Sequence, residues 1–167
     1  MFTSIEHFKK AWKYESEGTS KILGSLTDAS LKQSVAQDHR TLGRMAWHIT
    51  QTIPEMAGHT GLKVDGPGEK EQVPSSAKTI KEAYDRAAAS LLEQVTGSWK
   101  DDTLMIEDDM YGETWKRGST LRILLDHQIH HRAQMTVLMR QAGLKVPGIY
   151  GPSRDEWAQY NAPPPEI

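Results

Sequence analysis

The apolar positions of the chain recur mostly at intervals of three and four, the period of an amphipathic helix. Ile5, Phe8, Trp12, Thr19, Ile22 and Leu26 keep that spacing behind Thr3-Ser-Ile-Glu6, a capping-box pattern, and predict a helix over about 4–25. A polar link carrying Leu31 and Val35 leads to a second helix over about 41–57, with Leu42, Ala46, Ile49 and Ile53 as its stripe. Gly58, Gly61, Gly66, Pro67, Gly68 and Pro74 then stop the pattern, so 57–76 reads as a long connection. A third helix starts near Thr79, with Glu82 in capping-box position, lines up Ile80, Tyr84, Ala87, Leu91 and Val95, and closes at Gly97. In 103–117 the residues Leu104, Ile106 and Asp108 alternate and Tyr111-Gly112 can turn the chain, which predicts a small hairpin or extended flap.

The fourth helix, about 119–142, is the most strongly patterned, through Leu121, Leu124, Leu125, Ile129, Met135, Leu138 and Met139. Beyond Gly143 and a Pro/Gly-rich stretch, Ser153-Arg-Asp-Glu156 is a further capping box before Trp157 and Tyr160, and 160–167 reads as a frayed tail. Four such helices in one domain of 167 residues predict an all-α four-helix bundle with a short C-terminal helix. The long connections 57–76 and 97–118 leave the up-down order of the helices open.

Composition narrows the function. Twenty Lys+Arg against 22 Asp+Glu give a net charge of -2, which argues against nucleic-acid binding. The longest stretch free of charged residues, Met45 to Pro54, is far too short to span a bilayer, and MFTSIEHFKK lacks the apolar segment of a signal peptide. The expectation is a cytoplasmic protein. There is no cysteine, which excludes disulfides, thiolate metal sites and a thiol nucleophile. There are seven histidines.

Three of them fall in Asp126-His-Gln-Ile-His-His-Arg132. His127 and His131, four apart on a helix, share a face and can reach one ion. On a helical wheel they lie among Thr120, Leu124 and Leu138, within the stripe expected to face the core, where polar groups must be satisfied. A metal would satisfy both rings, and a hydrogen-bonded pair of core histidines would also fit. His130 points about 100° away and reads as a rim residue. A three-residue spacing would equally allow His127 with His130, so the pattern does not decide between them. His48 is the natural third ligand, half-way along the second helix but at the edge of its buried face. Opposite, the first helix changes from Phe8 and Trp12 to Glu15, Ser16 and Thr19, as a bundle with a cavity or polar site at mid-height would. Glu15 itself reads as a solvated glutamate, and His7, His39 and His59 as surface residues.

Arg40-Thr-Leu-Gly-Arg-Met-Ala-Trp-His48, Asp126-His-Gln-Ile-His-His-Arg-Ala-Gln134 and Lys145-Val-Pro-Gly-Ile-Tyr-Gly-Pro-Ser153 together resemble the DinB-like family of bacterial proteins over nearly the whole chain. The resemblance implies a four-helix bundle holding a divalent ion, usually zinc or nickel, through three histidines. These map onto His48, His127 and His131, which selects His131 over His130. It also implies a homodimer and, from the wider superfamily, thiol-dependent S-transferase or isomerase chemistry with bacillithiol or mycothiol. The family's common glycine after His-His-Arg is Ala133 here.

Three imidazoles leave a coordination position open, the arrangement of catalytic zinc. Two enzymatic readings follow: a metal-dependent hydrolase of a small ester or amide, and a transferase using a low-molecular-weight thiol cosubstrate. Glu15, Tyr111, Asp126 and Gln134 are candidates for outer-shell support or proton transfer. A non-catalytic metal-binding or stress-response protein is the competing class.

Overall fold

Each predicted helix forms, with boundaries shifted by a few residues. The structure, a computed structural model, describes residues 1–166. The order is α1 (Ile5–Leu23), a 3-10 turn Asp28–Lys32, α2 (Leu42–His59), α3 (Ala77–Ser98), a 3-10 turn Asp101–Met105, β1 (Glu107–Met110), β2 (Glu113–Lys116), α4 (Arg117–Gln141) and a 3-10 helix Arg154–Tyr160. The fold is therefore helical with one small two-stranded sheet. The expected tail begins at the last residue of the final 3-10 helix, and Ile167 lies outside the described residues.

Two predicted caps are replaced by other residues. The N-cap of α1 is Ser4, which makes no side-chain cap; the Asp101 carboxylate accepts from Ile5 N at 2.7 Å instead. For α3 the cap is Ser76, whose hydroxyl accepts from Thr79 N, rather than Thr79 itself. Either oxygen satisfies an amide that has no intrahelical partner. The hairpin turns where the sequence placed it. β1 and β2 pair antiparallel with Met110 opposite Glu113, and Tyr111 and Gly112 both have positive φ, at 60° and 84°. That is the signature of a type I′ turn, whose twist matches paired strands.

α1 and α2 each pack against both α3 and α4, so α1 lies diagonally opposite α2, and α3 opposite α4. Trp12 Nε1 donates to Ala88 O at 3.0 Å while Gly24 meets Lys81, so α1 and α3 run antiparallel. Met56 and Ile123 line one groove and Met45 and Leu138 another, so α2 and α4 also run antiparallel. α2 and α3 share a direction because the connection between them runs back alongside α2. Gln51 Nε2 donates to the carbonyls of Gly68 and Glu69, and Trp47 Nε1 to that of Glu71. The segment packs tightly: a Cβ at Gly66 would come within 2.9 Å of the Pro54 ring. This strap thus runs along the bundle's side, whereas 97–118 stays at one end, where Phe2 N donates to Gly118 O at 2.9 Å.

Phe8, Trp12, Ile22, Ile49, Ile53, Ile80, Tyr84, Leu91 and Leu104 are among the fully buried side chains between the helices. Each aliphatic or aromatic group so buried contributes roughly 1.5–3 kcal/mol. This packing fixes the faces of α2 and α4 that meet at mid-height.

Candidate metal centre

His48 reaches across from α2 to two histidines one turn apart on α4. Its Nε2 lies 3.1 Å from His127 Nε2. The His127 and His131 rings are 4.5 Å apart between centroids, and each is 4.9 Å from the His48 ring. One nitrogen of each lies within 4.8 Å of one nitrogen of both others. A tetrahedral ion with nitrogens at about 2.0–2.1 Å sets its ligands roughly 3.3 Å apart. The separations are therefore those of a ligand set that closes on an ion with small side-chain rotations. A hydrogen-bonded histidine pair would account for the 3.1 Å contact, but it gives no reason for a third imidazole to converge. Among the described residues no carboxylate or further histidine joins the three.

The chemistry of the donors also fits. Burial lowers the pKa of His48 to about 3 and that of His127 to about 4, and lowers that of His131; the nearby Arg40 guanidinium adds repulsion to each. All three rings are thus neutral near pH 7, the form that binds metal without first losing a proton. Gln134 accepts from His131 Nδ1 through Oε1 at 2.8 Å, which leaves Nε2 of that ring free for a ligand. Its amide also reaches His130 Nε2 at 3.0 Å, so the rim histidine helps hold Gln134. His127 turns Nε2 toward the other rings and leaves Nδ1 buried without a partner.

The three rings are only half-buried, not in the packed core as the wheel suggested. They lie between two openings. His48 and His127 line a cavity of about 620 Å³ together with Arg44, Glu55, Tyr111 and Trp115. His131 and Gln134 line another of about 390 Å³ with Arg40, Met45 and Val137.

The profile of the DinB family matches residues 1–166. The chain belongs to the DinB family. An uncharacterized protein of Bacillus subtilis (strain 168), YrdA, is 44% identical over the full length of both chains. The crystal structure of a DinB-like protein from Bacillus cereus superposes with a TM-score of 0.87 at 47% identity, covering 90% of this chain and all of that one. A DinB-like protein of Bacillus subtilis, YjoA, shares the fold with a TM-score of 0.67 at 13% identity, over 86% of this chain and 97% of its own.

The remaining candidates of this DinB-family chain fall into different places. Tyr111 stands over the larger cavity, where its hydroxyl donates to Glu55 Oε1 at 2.7 Å. Asp126 is exposed and paired with Arg122 at 2.8 Å. His7, His39 and His59 are exposed, and the latter two line the rims of the openings.

Glu15 is the clearest departure from expectation. It is buried, not solvated, and its Oε2 accepts from Arg132 Nη2 at 2.6 Å. Tyr150, from the tail, donates to Glu15 Oε1 at 2.7 Å and accepts from the same guanidinium at 2.9 Å. Arg132 Nη1 reaches Glu15 O and Thr19 Oγ1, and Gln128 Oε1 takes the Tyr84 hydroxyl at 2.7 Å. The polar residues at mid-height of α1 therefore surround Gln128 and Arg132, two of the buried polar side chains of α4. Sequence reasoning missed both. A signal was present: counting from Leu121 and Leu125, the stripe runs through Gln128 and Arg132 to Met135 and Met139.

Proposed function

We propose that this DinB-family chain is a metal-dependent enzyme whose His48, His127 and His131 hold a divalent ion, zinc or nickel, and act on a small molecule bound in the adjoining cavity. The observation carrying this reading is the convergence of three neutral imidazoles, with no fourth protein ligand among the described residues, at the wall of a cavity of about 620 Å³. A structural site is normally closed by four protein ligands, whereas three leave a place for a reactant. An ion held there would supply Lewis acidity, sufficient to activate water or a thiol near neutral pH.

The chain's own residues have distinct tasks. Gln134 fixes the His131 ring so that Nδ1 carries the proton. Arg44, held by Gln51 Oε1 at 2.8 Å, places a cation in the cavity one turn from His48. Because the protein has no cysteine, a transfer to sulfur needs a thiol cosubstrate such as bacillithiol; a hydrolase needs only water. A cytoplasmic homodimer completes the proposal.

The test begins with the metal content of natively purified protein and anomalous scattering at the cluster. Metal bound to the parent and absent from His127→Ala is the expected result; equal loading of both would overturn the assignment. Incubation of loaded protein with model electrophiles, with and without bacillithiol, then separates transferase from hydrolase. Lack of turnover in both arms, with metal removal lowering stability sharply, would favour the structural alternative. Light scattering decides the oligomeric state.

A further inference from the structure

The larger cavity continues past the histidines along α2. Its far end is built from Glu55 and His59 on α2 and from Tyr111 and Trp115 on the hairpin. Glu55 lies two turns beyond His48, a distance of roughly 10 Å along a helix. Two of these rings, Tyr111 and His59, meet its carboxylate, and Trp115 packs behind Tyr111. Tyr111 packs on His59 with centroids 5.1 Å apart and meets Trp115 edge-on at 6.0 Å.

Glu55 is an unusual carboxylate. Its side chain is 18% exposed, yet among the described residues no lysine or arginine pairs with it. Its contacts are the Tyr111 hydroxyl at 2.7 Å and the His59 ring nitrogen at 3.6 Å. Glu69, from the strap, adds a second carboxylate to the same lining, again without a lysine or arginine partner among the described residues. The cavity's one guanidinium, Arg44, is held by Gln51 Oε1 at 2.8 Å and, among the described residues, forms no ion pair with Glu55 or Glu69. A half-buried carboxylate whose one basic neighbour is a histidine costs free energy that a permanently cationic ligand would recover, and aromatic rings in the same lining are attractive to that charge.

The hairpin is shaped to complete this end. Tyr111 occupies the first central position of the type I′ turn, at φ 60°, where Asn, Asp or Gly is usual and a bulky side chain is disfavoured. In exchange the turn delivers the phenol to Glu55, 56 residues earlier in the chain.

We propose that Glu55, Glu69, Tyr111 and Trp115 form a subsite for an ammonium or quaternary amine, so that the substrate carries a cationic group about 10 Å from the part presented to His48 and His127. This rests on the reading of the cavity as the substrate site of the three-histidine centre. It is independent of whether the reaction is hydrolysis or thiol transfer.

The full-length protein, metal-free and zinc-loaded, is titrated with choline and with its uncharged carbon isostere 3,3-dimethylbutan-1-ol, following the indole N–H signals by NMR. Choline should saturate and shift the Trp115 signal, with the alcohol at least about tenfold weaker, the size of a desolvated cation–aromatic contact with a carboxylate behind it. Glu55→Gln and Tyr111→Ala should each weaken choline by about five- to tenfold, with Tyr111→Phe between parent and Tyr111→Ala should the latter not fold. Equal binding of the two probes, no saturable shift with choline, or unchanged affinity in folded Glu55→Gln would overturn the subsite. Metal content is read on the same samples. Glu55→Gln should keep its zinc, and His127→Ala should lose zinc yet still bind choline. Loss of choline binding with zinc retained in the parent therefore defeats the subsite alone, and absence of zinc with choline bound defeats the metal centre alone.

Discussion

Two polar groups of residues lie on α4 one position apart, and they behave in opposite ways. His127 and His131 face α2 and lie half-buried beside two open cavities. Gln128 and Arg132 face α1 and α3, and the guanidinium of Arg132 makes four hydrogen bonds to Glu15, Thr19 and Tyr150. A step of one residue turns a side chain by about 100° around the axis, enough to move it from an open groove to the packed interior. The difference separates stability from chemistry. The arginine side is bonded within the protein apart from Gln128 Nε2, whereas the three imidazoles converge with no carboxylate among them.

The largest effect is expected on the satisfied side. Arg132→Ala leaves the Glu15 carboxylate buried without a counter-charge and should cost about 3–5 kcal/mol in urea unfolding. A loss below about 1 kcal/mol, the scale of an exposed ion pair, would mean that the network is not structural. Next comes the histidine side: Gln134→Ala releases the His131 ring and should weaken zinc affinity by about 10–100-fold, measured by competition with a chelator. Unchanged affinity would show that Gln134 does not orient a ligand.

Tyr150→Phe removes one hydroxyl from the Glu15–Arg132 pair and should cost about 1 kcal/mol, without changing metal content. A change in metal binding would show that the two groups are coupled through the tail.

The smallest effect at neutral pH concerns the metal-free protein. Because folding lowers the pKa of His48 and His127 to about 3 and about 4, the unfolded chain takes up protons first as the pH falls below the ordinary value of 6.5. Stability should be flat above that value and decline from there toward pH 4. His127→Ala should show little loss at pH 7.5 and a shallower decline. An equal decline in parent and variant would remove these rings as its cause.

Much of the fold is legible in the chain because helical periodicity and turn chemistry are local. The positions of α1 to α4 and the Tyr111-Gly112 turn follow from spacing and from residue type. What the pattern cannot carry is contact between distant segments. Asp101 caps α1 from 96 residues away, and nothing near Ile5 announces it. The return of 60–76 along α2 is likewise set by Gln51 and Trp47, whose polar groups bind its carbonyls. At the site, imidazole spacing points to His127 with either His130 or His131 and to His48 as a third ligand, and the family resemblance selects His131 and strengthens His48. The Glu15–Arg132 pair stayed hidden because a charged residue on a helix is normally solvated. Only the partner on another helix reverses that expectation.

The diagonal placement of α1 against α2, and of α3 against α4, has a consequence for the order in which the molecule can be assembled. His48 and His127 are 79 positions apart, and the strap, α3 and the hairpin all intervene. During synthesis the first imidazole is made long before the other two. No N-terminal fragment ending before α4 contains a complete ligand set, and α4 presents one only after it has docked against α2. An ion captured at this centre would therefore mark a chain that has been made as far as α4 and has docked that helix against α2.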